Sequence, residues 1–159
     1  MKTSRHGFTL IEMLAVIAII AILATMASPS YMDRIVRQQI EAALPLADIA
    51  KKPIADSWAL LHTFPDDNAA VLLPAPEKIV NNFVSSLSIK EGTIQITFGN
   101  RASNGIAGKT LSLRPAVVTD APVVPVAWVC GNAKGPGAMT IQGVNQTNVP
   151  NTFLPLACR

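Results

Sequence analysis

Polarity along this chain changes character twice. From Phe8 to Ala27 the positions are overwhelmingly apolar; these twenty residues carry a single charge, Glu12, and match the length of helix needed to cross a bilayer. Beyond Tyr31 the apolar positions thin to a stripe. Ile40, Leu44, Ala47, Ile54, Trp58 and Leu61 recur at steps of three, four and seven, while Arg34, Arg37, Glu41, Asp48, Lys51 and Lys52 fall mostly off it. That is the spacing of a helix with one buried face. One long helix is therefore predicted from about Phe8 to Leu61, apolar in its first half and amphipathic in its second. Pro29, Pro45 and Pro53 each remove an internal hydrogen bond, so a bend or local break is expected at each. Pro29, at the edge of the apolar half, is the expected kink.

The period then changes from helix to strand. "PDDNAAVLLPAPEK" is turn-rich and reads as a surface connection. Val84 to Ile89 and Ile94 to Phe98 alternate, and Glu91-Gly92 between them predicts a tight hairpin. "GKTLSLRPAVV" predicts a third strand, "VPVAWVC" a fourth, and Met139 to Ile141 a short piece in an otherwise irregular tail. The expected architecture is α+β: a long N-terminal helix whose amphipathic half packs on a four-stranded antiparallel sheet in meander order. Trp58 and the strand apolars are expected in the core, and Trp128 reads as a core aromatic.

Composition refines this picture at few points. Half of the residues are hydrophobic and only 14% charged, more apolar than an average soluble domain. The formal charge of +3 owes two cations, Lys2 and Arg5, to the residues before the apolar run. Such a basic tip suits retention on the cytoplasmic side of a membrane and does not mark a nucleic-acid binder. A cleaved secretory signal would have a shorter apolar core without an early carboxylate. Glu12 is costly inside hydrocarbon unless paired, so it marks a function. Cutting between Gly7 and Phe8 would place a new α-amino group one turn from Glu12, in its own helix or in a neighbouring copy. Such a carboxylate sets axial register between packed helices. Cys130 and Cys158 lie beyond a membrane-directed segment, which suggests a disulfide, against the alternative of two unrelated thiols.

"G-F-T-L-I-E" followed by the apolar run, Pro29 and Tyr31 resembles the class III signal and N-terminal helix of type IV pilins. The similarity extends to "GTIQITFGN…GKTLSLRP" and to "AWVCG…LPLACR", which resembles the C-terminal disulfide region of the type IVa group. The resemblance implies a leader at residues 1–7, a membrane and filament-core helix at 8–28, and a globular pilin domain at 29–159 with its disulfide region at 130–158. It further implies cleavage between Gly7 and Phe8 by a prepilin peptidase, N-methylation of Phe8, an assembly role for Glu12 and a Cys130–Cys158 bridge. The implied partners are other pilin copies in a helical filament, the peptidase, an inner-membrane assembly platform and the membrane itself. The implied location is the inner membrane first and an extracellular pilus afterwards, serving motility, adhesion or DNA uptake.

Other readings of the same residues are narrower. A minor pilin acting as a DNA receptor would use Lys109, Arg114, Lys134 and Arg159 on phosphates, although scattered cations are more often a solvated surface. A type II secretion pseudopilin carries the same N-terminal motif but usually lacks the disulfide loop. His62 stands alone once His6 leaves with the leader, and the Ser and Thr residues have no His–Asp company, so no catalytic, metal or cofactor site is expected.

Overall fold

The computed structural model describes residues 7–159, the side chains of residues 26–30 excepted. The expected leader, apart from Gly7, lies outside the described residues, as do the side chains around the expected bend at Pro29. The chain divides into two compact units, Met1–Arg34 and Ile35–Arg159.

Helix α1 spans Leu10–Ala43. Its beginning is written in Thr9-Leu10-Ile11-Glu12. The Glu12 carboxylate accepts the Thr9 N–H and the Thr9 hydroxyl, each at 2.8 Å, and the Glu12 N–H donates back to the Thr9 oxygen at 3.3 Å. This reciprocal pairing satisfies helix-start donors that would otherwise lack partners, so the helix begins at Leu10 and not at Phe8. Through the first unit the apolar side chains are exposed, from Phe8 to Leu23. Thr25, the one hydroxyl deep in that run, donates to the Ile22 carbonyl at 2.7 Å, which lets it sit among apolar neighbours. Among the described residues no helix is long and apolar enough to cross a membrane. The apolar run continues to Ala27, past the last described side chain of this stretch.

The single helix expected to reach Leu61 is two helices and a tight turn. After α1 comes one 3-10 turn, Leu44–Ala47, and then α2, Asp48–Leu61. Pro45 has no N–H to give to the carbonyl four residues back, so the chain tightens; the Asp48 N–H bonds Pro45 instead, three residues away. Pro53 lies inside α2 without ending it. The buried stripe nevertheless keeps its phase across the turn. Val36, Ile40, Ala43, Ala47, Ala50, Ile54 and Trp58 are buried at steps of three and four. Leu44 is half-buried, and Leu61, expected to close the stripe, is 67% exposed. The helix ends beside it, where His62 turns left-handed and bonds the Trp58 carbonyl.

Strands β1 (Val84–Lys90), β2 (Thr93–Phe98), β3 (Thr110–Val117) and β4 (Ala127–Cys130) form the expected antiparallel meander. The β1–β2 turn has Glu91 at φ 49° and Gly92 at φ 76°, the left-handed pair that a two-residue hairpin requires. A Cβ at Gly92 would lie 2.7 Å from Phe64. A bulge between Val84 and Ser86 shifts the register, so Val84, Leu87 and Ile89 all face the helices although their spacing is uneven. Opposite them stand Phe98, Ile96 and Ile94. With Leu111 and Leu113 these side chains meet the helical stripe and make the core. The short piece expected near Met139 is β5 (Thr140–Ile141), which pairs with the end of β3. Trp58 is buried and stacks on Phe64 at 4.9 Å; Trp128 is half-buried against the core.

Candidate functional site

The N-terminal end of the described residues is built from the local helix start. Gly7, Phe8 and Thr9 precede the first helical turn, and Phe8 is 83% exposed. A Cβ at Gly7 would meet nothing within 4 Å. Among the described residues the Gly7–Phe8 peptide bond thus sits on open, non-helical backbone. Glu12 is one turn further on. Both of its hydrogen bonds from Thr9 fall on Oε2; among the described residues Oε1 accepts none. The carboxylate is therefore half-engaged in its own helix and retains an oxygen for a further cation.

The tail is closed by the Cys130–Cys158 disulfide, with Cα atoms 4.5 Å apart and the cysteines 28 positions apart in sequence. The bridge joins the end of β4 to a final 3-10 turn, Leu156–Cys158. Gly131 has φ 55°, and a Cβ there would stand 2.5 Å from the Cys158 carbonyl; only glycine lets the two backbones approach this closely. The Asn132 N–H bonds that same carbonyl at 2.9 Å.

Between β5 and the bridge the chain crosses the sheet on the face away from the helices. The Gln95 amide donates to the Val144 carbonyl, and the Gln146 N–H to the Ser112 hydroxyl at 2.8 Å. Ser112 in turn donates to Gln95 Oε1 at 2.7 Å. The strap then pairs with β3 through Thr147 and Asn148. Val149, Leu154 and Cys158 are buried on the core side. Sequence reasoning left this segment irregular and missed the buried polar layer beneath it. The visible signal was Gln95 and Ser112 at positions of strands otherwise rich in apolar residues.

Two of the four cations named from the sequence are committed to backbone. The Arg114 guanidinium donates to the Gly131 carbonyl at 3.0 Å, and Arg159 Nε to the Leu154 carbonyl at 3.0 Å. Lys134 is exposed just after the Gly131 turn, and Lys109 is half-buried before β3. Arg114, Lys134 and Arg159 thus gather around the bridge. A cation that the sequence reading did not single out joins the tail: Arg37 donates to the Thr152 carbonyl at 2.8 Å, the carbonyl that Arg159 also reaches at 3.5 Å. Asn68, missed as well, lies in the expected surface connection but is buried. It accepts the Ile89 N–H at 2.7 Å and donates to the Leu87 carbonyl at 3.0 Å, completing the free edge of β1. No group of three potential metal ligands occurs among the described residues.

Known proteins match this chain along its length. The family model described as pilin, a bacterial filament protein, matches residues 36–159, and the prokaryotic N-terminal methylation motif matches residues 2–28. The chain is 32% identical to a type IV major pilin, PilE1, of Neisseria gonorrhoeae, over all of this chain and 89% of that one. It is 32% identical to a fimbrial protein of Neisseria meningitidis serogroup A and 33% to the fimbrial protein EcpC of Eikenella corrodens, with 100% of this chain covered in both cases and 96% and 94% of theirs. A helix start carrying the methylation motif, a helix-on-sheet unit and a disulfide-closed tail thus lie in one chain with matches along its full length, and the protein belongs to the type IV pilin family.

Proposed function

We propose that this protein is the structural subunit of a type IV pilus, made as a membrane-held precursor with a leader at residues 1–7. A prepilin peptidase hydrolyses the Gly7–Phe8 bond, and the amine released on Phe8 is methylated. Residues 8–28 hold the precursor in the inner membrane until an assembly platform draws it into the filament. There the apolar helices pack together and residues 29–159, closed by the bridge, face outward. The protein is a building block and not an enzyme; the chemistry is performed on it.

The observation that carries this reading is the state of Glu12. One oxygen caps the helix start and, among the described residues, the other accepts no hydrogen bond, on a helix whose apolar side chains from Leu10 to Leu23 are exposed. Cutting at Phe8 supplies a cation next to that oxygen, and in a bundle the Phe8 amine of an adjacent copy serves equally. A misaligned copy leaves a carboxylate unpaired in an apolar core, so one stagger is favoured. The relatives are named as major pilins and fimbrial proteins, and neither a DNA-receptor pilin nor a secretion pseudopilin is favoured over the structural subunit.

Mass spectrometry of the mature protein is expected to find methylated Phe8 at its start. Glu12→Ala is expected to insert and be cleaved normally yet to lower the yield of sheared pili at least tenfold. Wild-type pilus numbers from that variant, or mature protein beginning at Met1, would sink the proposal.

A further inference from the structure

The globular unit carries two unlike surfaces at its two ends. At one, Arg37 and Arg159 converge on the Thr152 carbonyl, and Leu156 stands beside them 82% exposed. At the other, Leu60, Leu61 and Leu72 are 78%, 67% and 94% exposed around a hollow of about 330 Å³, also lined by Pro53 and Val71. Next to that hollow Asp66, Asp67 and Glu91 are all exposed, with the Glu91 N–H bonded to the Asp66 carbonyl. Lys90 offsets this corner only in part. The rise of the helices from Arg37 to Leu61 separates the two surfaces by roughly 35 Å.

Among the described residues none of these charges has an opposite partner within the chain. The ion pairs among the described residues are Asp48–Lys51 and Lys52–Asp56. Arg37 has Glu41 one turn away on its own helix and makes no ion pair with it. Each end thus offers what the other lacks: cations with an apolar knob, and carboxylates with an apolar hollow.

We propose that successive copies dock head to tail, with Leu156 of one entering the hollow of α2 and residues 70–72 of the next, while Arg37 and Arg159 face its Asp66, Asp67 and Glu91. The inference deepens the filament reading and rests on it. A patch that fits a different patch on an identical molecule propagates into an open helical array when the rotation does not close a ring. Exposed leucines within a rim of complementary charge have the anatomy of such a contact.

The test uses the full chain in cells that make the filament. Leu156→Asp and Leu72→Asp each alter an exposed side chain. Each is expected to cut sheared pili at least tenfold while the disulfide still forms and the protein resists protease as the parent does. Arg37→Glu is expected to do the same, with Asp67→Arg in the same chain restoring at least half of the yield. Arg159→Glu with Asp67→Arg repeats the exchange should the Arg37 variant fail to fold. A photo-reactive side chain at position 156 in intact filaments is expected to label residues 53–72 of another copy. Wild-type pilus numbers from Leu156→Asp, no rescue by either exchange, or labelling confined to other segments would overturn the docking while leaving the filament reading in place. A parent chain that forms no filament would overturn both.

Discussion

Asn68 stands beside β1 where a further strand would lie, and its amide supplies both halves of the missing ladder. A naked strand edge is a template for unwanted pairing, and a buried side chain that occupies it removes the hazard. In Asn68→Ala the Ile89 N–H and the Leu87 carbonyl lose their partners. Unsatisfied buried groups of this kind cost about 1–3 kcal/mol each, so for the two together denaturant titration is expected to show a loss of about 2–6 kcal/mol. An unchanged midpoint would mean that water replaces the amide. Nothing local announces this role, because the partners lie 19 and 21 residues away. Thr9 and Glu12 are the opposite case. Their spacing of three is a helix-start signature readable from the sequence, yet the sequence reading considered the charge and passed over the cap.

At the scale of elements, periodicity placed the four main strands and the hairpin, because alternation of side chains is a property of each strand alone. It also found most of the helical stripe. It misjudged the stripe's last member: Leu61 keeps the spacing, but the helix end lifts it off the sheet. The contrast between Ile54, wholly buried, and Leu61 makes this testable. Ile54→Ala is expected to cost about 2–5 kcal/mol through the cavity it leaves, whereas Leu61→Ala, on the surface, is expected within about 0.5 kcal/mol of the parent. Equal losses in thermal melting would contradict the burial assigned to them. Pro45 shows why a proline does not by itself foretell the outcome. It ends α1 in a tight turn, while Pro53 rides inside α2; the core on either side decides whether the helix resumes.

For the whole molecule the disulfide is the closing device. It joins β4 to a tail that has crossed the outer face of the sheet and returned to the core, so it holds the strap as well as the terminus. Closing a loop of this length stabilises by roughly 3–4 kcal/mol on the chain-entropy estimate. Cys130→Ser combined with Cys158→Ser is expected to lose about that much, and Gly131→Ala to hinder the bridge from forming. Denaturation followed with and without reductant checks the first, and thiol titration of freshly made protein the second. Full stability in the double variant would show that the strap holds without its staple.

The apolar run with its one acid, the N-terminal methylation motif, the helical stripe, the order of strands and the two cysteines could all be read before the fold was known. Each of these is written in neighbouring residues or in a short period, so local geometry is enough to read it. The path of the strap, the polar layer of Gln95 and Ser112, the edge clamp of Asn68 and the meeting of Arg37 with Arg159 were decided only by the tertiary structure. Those groups are distant in sequence and polar, and polar side chains have no period; where a buried one finds its partner depends on what the folded chain brings beside it.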